Sequence, residues 1–244
     1  MADGRNINDR CGSTHPGSLQ SAVVDHGADV GLAFDGDADR VLAVDDGGRL
    51  IDGDQLIAIC AIDRHERGIL ADDTVVVTVM TNLGFRLGMA EHGITVVETQ
   101  VGDRHVLDAL ESGGWTLGGE QSGHVIFRDL ATTGDGLLTG AQVLDTVVRS
   151  GRSLAELADA AMTRLPQVLR NVPVEGRASD VVDRLTEQIA AAEAELGASG
   201  RVLVRPSGTE PVVRVMVEAR DAERAERSAD TLVSAVEQTT RSGT

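Results

Sequence analysis

Residues 35–40 of this 244-residue chain are Asp-Gly-Asp-Ala-Asp-Arg, and they lie between two apolar runs, 30–34 and 41–44. Three carboxylates fall on alternate residues with only Gly and Ala between them, and such small spacers let the backbone curl until the carboxylates converge. Converging carboxylates repel one another unless a cation lies between them, and oxygen ligands suit a hard ion such as Mg²⁺. Because the apolar flanks are typical of short strands, the sequence predicts a strand–loop–strand metal site.

Two other interpretations of this loop were weighed. In so acidic a chain, an ordinary solvated acidic turn is also compatible with the spacing. An EF-hand calcium loop opens with the same alternation, but it needs Gly at its sixth position and Glu at its twelfth. Here these positions hold Arg40 and Asp46, so the EF-hand is excluded and the metal site and the acidic turn both remain open.

The composition limits the class of protein. The net charge is −17 and 41% of the residues are hydrophobic, so we expect a folded core and no binding to nucleic acid or to anionic membranes. The chain has no Lys, which excludes Schiff-base chemistry and a P-loop within it. Cys11 and Cys60 are single and far apart, which argues against a zinc site and favours a reduced, cytoplasmic setting.

Strand and helix signals alternate along the chain, and no internal repeat is evident. Helices are predicted over 16–26, 54–67, 84–92, 103–111, 135–148 and 154–162, and strands over 30–34, 41–44, 74–80, 94–99 and twice within 115–127. After Pro166 the order becomes β-α-β-β-α, with one long helix over 180–196, which indicates a separate α+β domain. We therefore predict three segments, 1–48, 49–159 and 160–244.

A second polar loop is Gly-Gly-Glu-Gln-Ser-Gly-His at 118–124. It places a carboxylate, an amide, a hydroxyl and an imidazole within five residues, a cluster that can hydrogen-bond several sugar hydroxyls at once. Glu120 or His124 could also transfer protons. A simple polar hairpin turn is the alternative interpretation of this loop.

A third polar loop is Arg-Pro-Ser-Gly-Thr-Glu-Pro at 205–211, between two Val-rich strands. An Arg fork, two hydroxyls and the N–H groups around Gly208 would form a compact oxyanion cradle. The alternative is a stiff turn in which Arg205 pairs with Glu210. Together the three loops offer ligands for a hard metal ion, groups that can hydrogen-bond sugar hydroxyls and a phosphate-binding cradle. These are the parts needed for phosphoryl transfer on a sugar phosphate.

In these three loops, and in their order and spacing, the chain resembles the α-D-phosphohexomutase family. The resemblance covers almost the whole chain. Further stretches are similar to the phosphoglucosamine mutase branch of that family: Ile7-Asn8-Asp9 running into Cys11-Gly12-Ser13-Thr14-His15-Pro16, Val101-Gly102-Asp103-Arg104, and Pro166-Gln167-Val168-Leu169 shortly before Asn171-Val172.

The resemblance implies the fold and the site. The implied fold is α/β, with mixed-sheet α/β/α domains followed by a small C-terminal α+β domain. The implied Mg²⁺ ligands are Asp35, Asp37 and Asp39, with Arg40 beside the transferring phosphate. The implied substrate contacts are Glu120 and Ser122 to sugar hydroxyls and Arg205, Ser207, Gly208 and Thr209 to the non-reacting phosphate, with His124, Asp103 and Arg104 as further site residues.

The resemblance also implies an activity, the exchange of glucosamine 6-phosphate and glucosamine 1-phosphate through a phosphoserine enzyme. Glucosamine 1,6-bisphosphate would act as activator. The alternatives are a phosphomannomutase or phosphoglucomutase, because the loop at 119–124 is shared among these enzymes, and a non-catalytic fragment that binds sugar phosphates.

One family motif has no counterpart in this sequence, the Thr-x-Ser-His-Asn segment that carries the catalytic serine. We interpret Ser13-Thr14-His15-Pro16 as the start of a helix, capped by Ser13 or Thr14, rather than as the nucleophile. The chain then corresponds to the end of domain two and the whole of domains three and four. We expect it to be inactive alone, to bind Mg²⁺ more weakly than a complete enzyme, and to need a missing N-terminal half as partner.

Overall fold

A computed structural model of the chain describes residues 4–208 and 210–241. The chain forms two units, with the boundary between Thr163 and Arg164. The first unit contains both segments that the sequence predicts before residue 160, and the division near residue 48 stays a prediction.

The first unit opens with a helix and an antiparallel hairpin. Helix α1 (Gly17–His26) is followed by strands β1 (Val30–Phe34), β2 (Val41–Asp45) and β3 (Leu50–Ile51), which form a sheet in that order. The β1–β2 hairpin confirms the strand–loop–strand prediction, because its register ends with Phe34 opposite Val41 and leaves 35–40 as the tip.

A second, mixed sheet follows in the same unit. Its strands are β4 (Thr74–Thr78), β5 (Thr95–Thr99), β6 (Leu117–Gly119) and β7 (Val125–Phe127), in the order β5-β4-β6-β7. Strand β4 is parallel to β5 and β6, whereas β7 is antiparallel to β6. Five further α-helices complete the described part of the unit: α2 (Gly53–Glu66), α3 (Leu83–Glu91), α4 (Asp103–Gly113), α5 (Gly136–Ser150) and α6 (Leu154–Ala161).

Helix α2 lies at the centre of the first unit. Ten of its 14 residues are buried, and its apolar side chains pack in one cluster with residues of β2, β4, β6, β7, α3, α5 and α6. A helix that is apolar on most sides is typically buried in this way. Cys60 belongs to this helix and Cys11 is exposed, and both are free thiols.

The first unit uses one plan twice. Helix α1, the hairpin β1–β2 and helix α2 come in the same order as helix α4, the hairpin β6–β7 and helix α5, although the short strand β3 lies between β2 and α2. Both following helices begin with an Asp-Gly pair, in which Asp52 accepts the N–H of Gln55 and Asp135 accepts the N–H of Leu138. The structure thus contains a repeated plan where the sequence shows no repeat.

The described residues of the second unit form a three-stranded antiparallel sheet with three α-helices. Its elements are β8 (Gln167–Pro173), α7 (Ala178–Asp183), α8 (Thr186–Leu196), β9 (Arg201–Pro206), β10 (Val212–Glu218) and α9 (Ala222–Arg241), and the strand order is β8-β10-β9. Val213, Val215 and Val217 on β10 pack with residues of all three helices to form the core.

Two local predictions are wrong. The single helix predicted over 180–196 is two helices, because Leu185 leaves helical geometry (φ −98°, ψ 9°) and is fully buried in the core of the second unit. Pro16, not Ser13 or Thr14, stands at the start of α1, and no side chain caps that helix. The Thr14 hydroxyl instead donates to the carbonyl of Cys11 at 3.4 Å.

None of the helices in the described part of the chain, residues 4–208 and 210–241, has the length and apolar character of a membrane span.

Candidate functional site

The predicted metal loop is a tight hairpin tip folded around Asp35. The Asp35 carbonyl accepts the N–H of Ala38 at 3.2 Å, and its carboxyl oxygen accepts the N–H of Arg40 at 3.3 Å. Ala38 has a left-handed backbone with φ 58°. Asp37 and Arg40 are exposed, whereas Asp35 and Asp39 are half-buried.

Two carboxyl groups of this loop are close enough to affect each other's ionisation. Burial and a hydrogen bond to Asp39 raise the pKa of Asp35. Burial also acts to raise the pKa of Asp39, but hydrogen bonds from Asp35 and His124 outweigh it, so the pKa of Asp39 is lowered. A cation bound between these two carboxyl groups would offset the repulsion between their charges, so the pair is a suitable environment for a metal ion.

The donor chemistry of the loop fits Mg²⁺, because its carboxylates offer only oxygen. Within residues 4–208 and 210–241, however, no three or more His, Cys, Asp or Glu side chains are arranged as a metal-binding cluster. The structure brings Asp35 and Asp39 together and leaves Asp37 exposed at the tip.

His124 lies under the metal loop. Its Nδ1 atom is 3.0 Å from Oδ2 of Asp39, and the residue is only 4% exposed. The last residue of the predicted sugar loop thus reaches the predicted metal loop, a contact that the sequence analysis does not foresee. Its predicted part in proton transfer stays a prediction.

The predicted sugar loop is the tip of the β6–β7 hairpin. Its backbone closes through the N–H of Glu120 to the carbonyl of His124 and the N–H of Gly123 to the carbonyl of Glu120, both at 3.0 Å. The Glu120 carboxylate accepts the N–H of Gly102 at 2.9 Å and the hydroxyl of Ser122 at 3.5 Å.

The contact to Gly102 brings another predicted stretch to the sugar loop. Asp103 and Arg104 directly follow Gly102 and open helix α4, where both are exposed. The N–H of Arg104 donates to the Asp103 carboxylate at 2.7 Å. The structure therefore groups Glu120 and Ser122 with the start of α4, and their predicted role as one substrate site stays a prediction.

The two hairpin tips are held by reciprocal contacts from the Asp-Gly helix starts. The N–H of Gly53 donates to the carbonyl of Gln121 at 3.0 Å, and the N–H of Gly136 donates to the carbonyl of Ala38 at 2.9 Å. Helix α2, which follows the metal loop, thus holds the sugar loop. Helix α5, which follows the sugar loop, holds the metal loop.

Glycine is needed at both helix starts because the backbones approach closely. A Cβ atom on Gly53 would lie 2.2 Å from the carbonyl oxygen of Glu120, and one on Gly136 would lie 2.7 Å from that of Arg40. The sequence analysis missed both positions, and the signal that could have identified them is the Asp-Gly pair before each helix.

The predicted phosphate loop joins β9 to β10 in the second unit. Arg205 on β9 stands directly opposite Arg214 on β10, and burial together with the charge of Arg214 lowers the pKa of Arg205. The N–H of Ser207 donates to the carbonyl of Val212 at 2.9 Å. Gly208 is exposed, and Thr209 lies outside the described residues.

Arg214 lies beside the predicted phosphate loop, and the sequence analysis missed it. Its guanidinium lies 3.4 Å from the Ser207 hydroxyl and 3.8 Å from the Glu210 carboxylate. Glu210, which the sequence suggests as a partner of Arg205, thus has an ion pair with Arg214. Like charges opposite each other in a sheet are unfavourable, so two facing arginines beside a hydroxyl suit an anion. Cross-strand register, which the sequence does not show, creates this pair.

The sequence matches two descriptions of one family. Residues 52–165 match "Phosphoglucomutase/phosphomannomutase, alpha/beta/alpha domain III", and residues 169–235 match "Phosphoglucomutase/phosphomannomutase, C-terminal domain". The relatives include a phosphoglucosamine mutase of Frankia alni, 61% identical over 96% of this chain and 51% of its own length. A phosphoglucosamine mutase of Thermobifida fusca is 57% identical over 96% of this chain and 52% of its own. The chain thus spans about half the length of the curated relatives it matches.

Solved structures show the same fold. An N-acetylphosphoglucosamine mutase of Aspergillus fumigatus matches with a TM-score of 0.76 at 24% identity, over 95% of this chain and 53% of that one. A phosphoglucomutase/phosphomannomutase family protein of Burkholderia thailandensis matches with a TM-score of 0.74 at 23% identity, over 93% of this chain and 50% of that one. Another structure of the Aspergillus fumigatus enzyme is a complex with GlcNAc-6P and magnesium.

Proposed function

Since this chain belongs to the phosphoglucomutase/phosphomannomutase family, we propose that it forms the metal-, sugar- and phosphate-binding part of a phosphoglucosamine mutase. The reaction is the exchange of glucosamine 6-phosphate and glucosamine 1-phosphate, with Mg²⁺ and glucosamine 1,6-bisphosphate as cofactor and activator. The names of the relatives at 57–61% identity support the amino sugar over mannose or glucose.

One observation carries this proposal: the metal loop at 35–40 and the sugar loop at 118–124 are held side by side. The N–H of Val41, at the end of the metal loop, donates to the carbonyl of Gly123 in the sugar loop at 3.1 Å. The contact between Asp39 and His124 joins the same two loops through side chains. A phosphoryl group bound at one tip is then close to a sugar bound at the other, which is the proximity that phosphoryl transfer needs.

In the metal loop, we assign each residue a role that fits its chemistry. Asp35, Asp37 and Asp39 would hold Mg²⁺. The bound ion would offset the negative charge of the transferring phosphoryl group. The exposed guanidinium of Arg40 donates to that group.

On the sugar side, Glu120 accepts hydrogen bonds from sugar hydroxyls and Ser122 donates to or accepts from them. Asp103 and Arg104 border the same loop and orient the sugar. Glu120 can also take or return the proton of the reacting hydroxyl. Arg205, Ser207, Gly208 and Thr209 hold the phosphate that does not react.

The experiment is an assay by phosphorus NMR with Mg²⁺ and glucosamine 1,6-bisphosphate. The chain is tested alone and with the N-terminal half of the Frankia alni relative added as a separate chain. We expect no glucosamine 1-phosphate from the chain alone, because it lacks the serine motif, and conversion in the mixture. Glu120→Gln should lower the rate at least tenfold, and Arg128→Gln, an exposed change outside the loop, should not. Faster turnover of mannose or glucose 6-phosphate would contradict the assignment.

We expect Arg214→Gln to weaken phosphate binding about tenfold or more, because a hydrogen bond to a charged group contributes about 1.5–3 kcal/mol. Thermal unfolding with and without inorganic phosphate measures this effect, since a ligand of the folded state raises Tm by an amount that grows with the logarithm of its concentration divided by Kd. The matched control is Arg220→Gln, which removes the same charge from an exposed position after β10. An equal phosphate-dependent rise of Tm in both variants would exclude Arg214 from the site.

A further inference from the structure

His124 is the side chain through which one loop of the first unit supports the other. It ends the sugar loop, yet its ring is buried beneath the metal loop, with Nδ1 3.0 Å from Oδ2 of Asp39. Its Nε2 atom is buried and has no hydrogen-bond partner among the described residues. A carboxylate that is half-buried and faces Nδ1 accepts a hydrogen bond, so the proton is placed on Nδ1.

Gly134 provides the space for this ring. A Cβ atom on Gly134 would lie 2.4 Å from Cε1 and Nε2 of His124 and 2.6 Å from Nδ1. The backbone of Gly134 has no left-handed φ, so alanine is disfavoured there by the imidazole and not by backbone strain. Two residues later, Gly136 donates its N–H to the carbonyl of Ala38 in the metal loop.

We infer that His124 is a positioning residue for the metal loop, with its Nδ1–H holding the Asp39 carboxylate in place and Gly134 accommodating its ring. This inference rests on the proposed function, because it assigns His124 to the support of the proposed Mg²⁺ ligand set. A ring that is 4% exposed and engaged with Asp39 is poorly placed to reach a sugar hydroxyl. The same geometry is well suited to orient a ligand carboxylate from behind.

A set of variants separates this role from simple core packing. The amide nitrogen of Asn can take the place of Nδ1, whereas that of Gln takes the place of Nε2. His124→Asn therefore keeps the donor to Asp39 and His124→Gln loses it, although both remove the ring. Gly134→Ala displaces the ring. Its control is Gly140→Ala, a buried glycine of α5 at which an added Cβ would have the flexible Leu32 side chain as its nearest neighbour.

The measurement is Mg²⁺ affinity of the full chain by calorimetry, after thermal unfolding has shown that each variant is folded. Groups that orient a metal ligand contribute about 10–100-fold to affinity. We expect His124→Gln and Gly134→Ala to lose about tenfold or more, and His124→Asn and Gly140→Ala to stay within about threefold of the parent. Equal affinity in His124→Gln and His124→Asn would overturn the inference.

A second readout does not depend on Mg²⁺. Nitrogen-15 NMR of the histidine side chains should place the proton of His124 on Nδ1, and Asp39→Asn should shift that resonance. The amide signals of 35–40 should move in His124→Gln and not in His124→Asn. A parent chain that binds no Mg²⁺ but gives these NMR results would contradict the proposed metal and support the positioning role of His124. An unprotonated Nδ1 would overturn that positioning role.

Discussion

Gly123→Ala is expected to destabilise the first unit by about 2–6 kcal/mol. Gly123 has φ +91°, and a Cβ atom there would lie 2.1 Å from the carbonyl oxygen of Val41. A non-glycine residue in the left-handed region costs about 1–3 kcal/mol, and an added atom in a packed position costs about 1–3 kcal/mol more. Urea unfolding measures the loss, and hydrogen exchange at the Val41 amide reports whether its bond to Gly123 is broken.

Gly114→Ala is the matched control for that result. Gly114 also has a left-handed backbone, with φ +71°, but nothing lies within 4 Å of an added Cβ. This variant should show the cost of strain alone and leave exchange at the Val41 amide unchanged. If the two variants lose the same stability, the close approach of the two hairpin tips is not a constraint.

Arg201→Met is expected to destabilise the second unit by about 3–5 kcal/mol, because this is the usual cost of removing one partner of a buried ion pair while the other stays buried. Glu218 is fully buried, and its carboxylate lies 3.1 Å from Nε of Arg201, whose side chain is 13% exposed. The other Glu218 oxygen accepts from the amide of Gln167 at 2.9 Å. The unit has 81 residues, for which total stability is roughly 4–12 kcal/mol, so the loss is a large share.

Two further variants, also measured by urea unfolding, test whether the lost charge explains the result of Arg201→Met. The double variant Arg201→Met, Glu218→Met removes both charges and should recover most of the stability, because an apolar pair often replaces a buried ion pair at little cost. Arg227→Met breaks an exposed pair with Glu223 and should have a much smaller effect. A double variant as unstable as the single one would mean that packing, not the loss of the Arg201 charge beside Glu218, causes the loss.

The elements that the sequence predicts well depend on local signals. The hairpin around residues 35–40, the β-branched strand β4 and the long helix α5 each contain their own pattern of apolar residues and turn formers. The polar composition of the three loops is equally local, and it leads to the family that the comparisons show.

The features that the sequence does not predict depend on contacts between distant residues. Leu185 interrupts a helical pattern because the core of its unit takes up that side chain. Arg214 faces Arg205 only through strand register. His124 meets Asp39 across 85 positions of sequence. In each case the tertiary environment, not the local propensity, determines the outcome.

The repeated plan of the first unit has a consequence for how far its two loops can differ in sequence. Each helix start contacts the tip of the other hairpin, which is the reciprocal arrangement of a two-fold symmetric dimer, here within one polypeptide. Because Gly53 and Gly136 hold the two loops through backbone groups, the side chains of each loop can differ without loss of these contacts. The same backbone arrangement is therefore compatible with the different chemistry that we propose for the two loops.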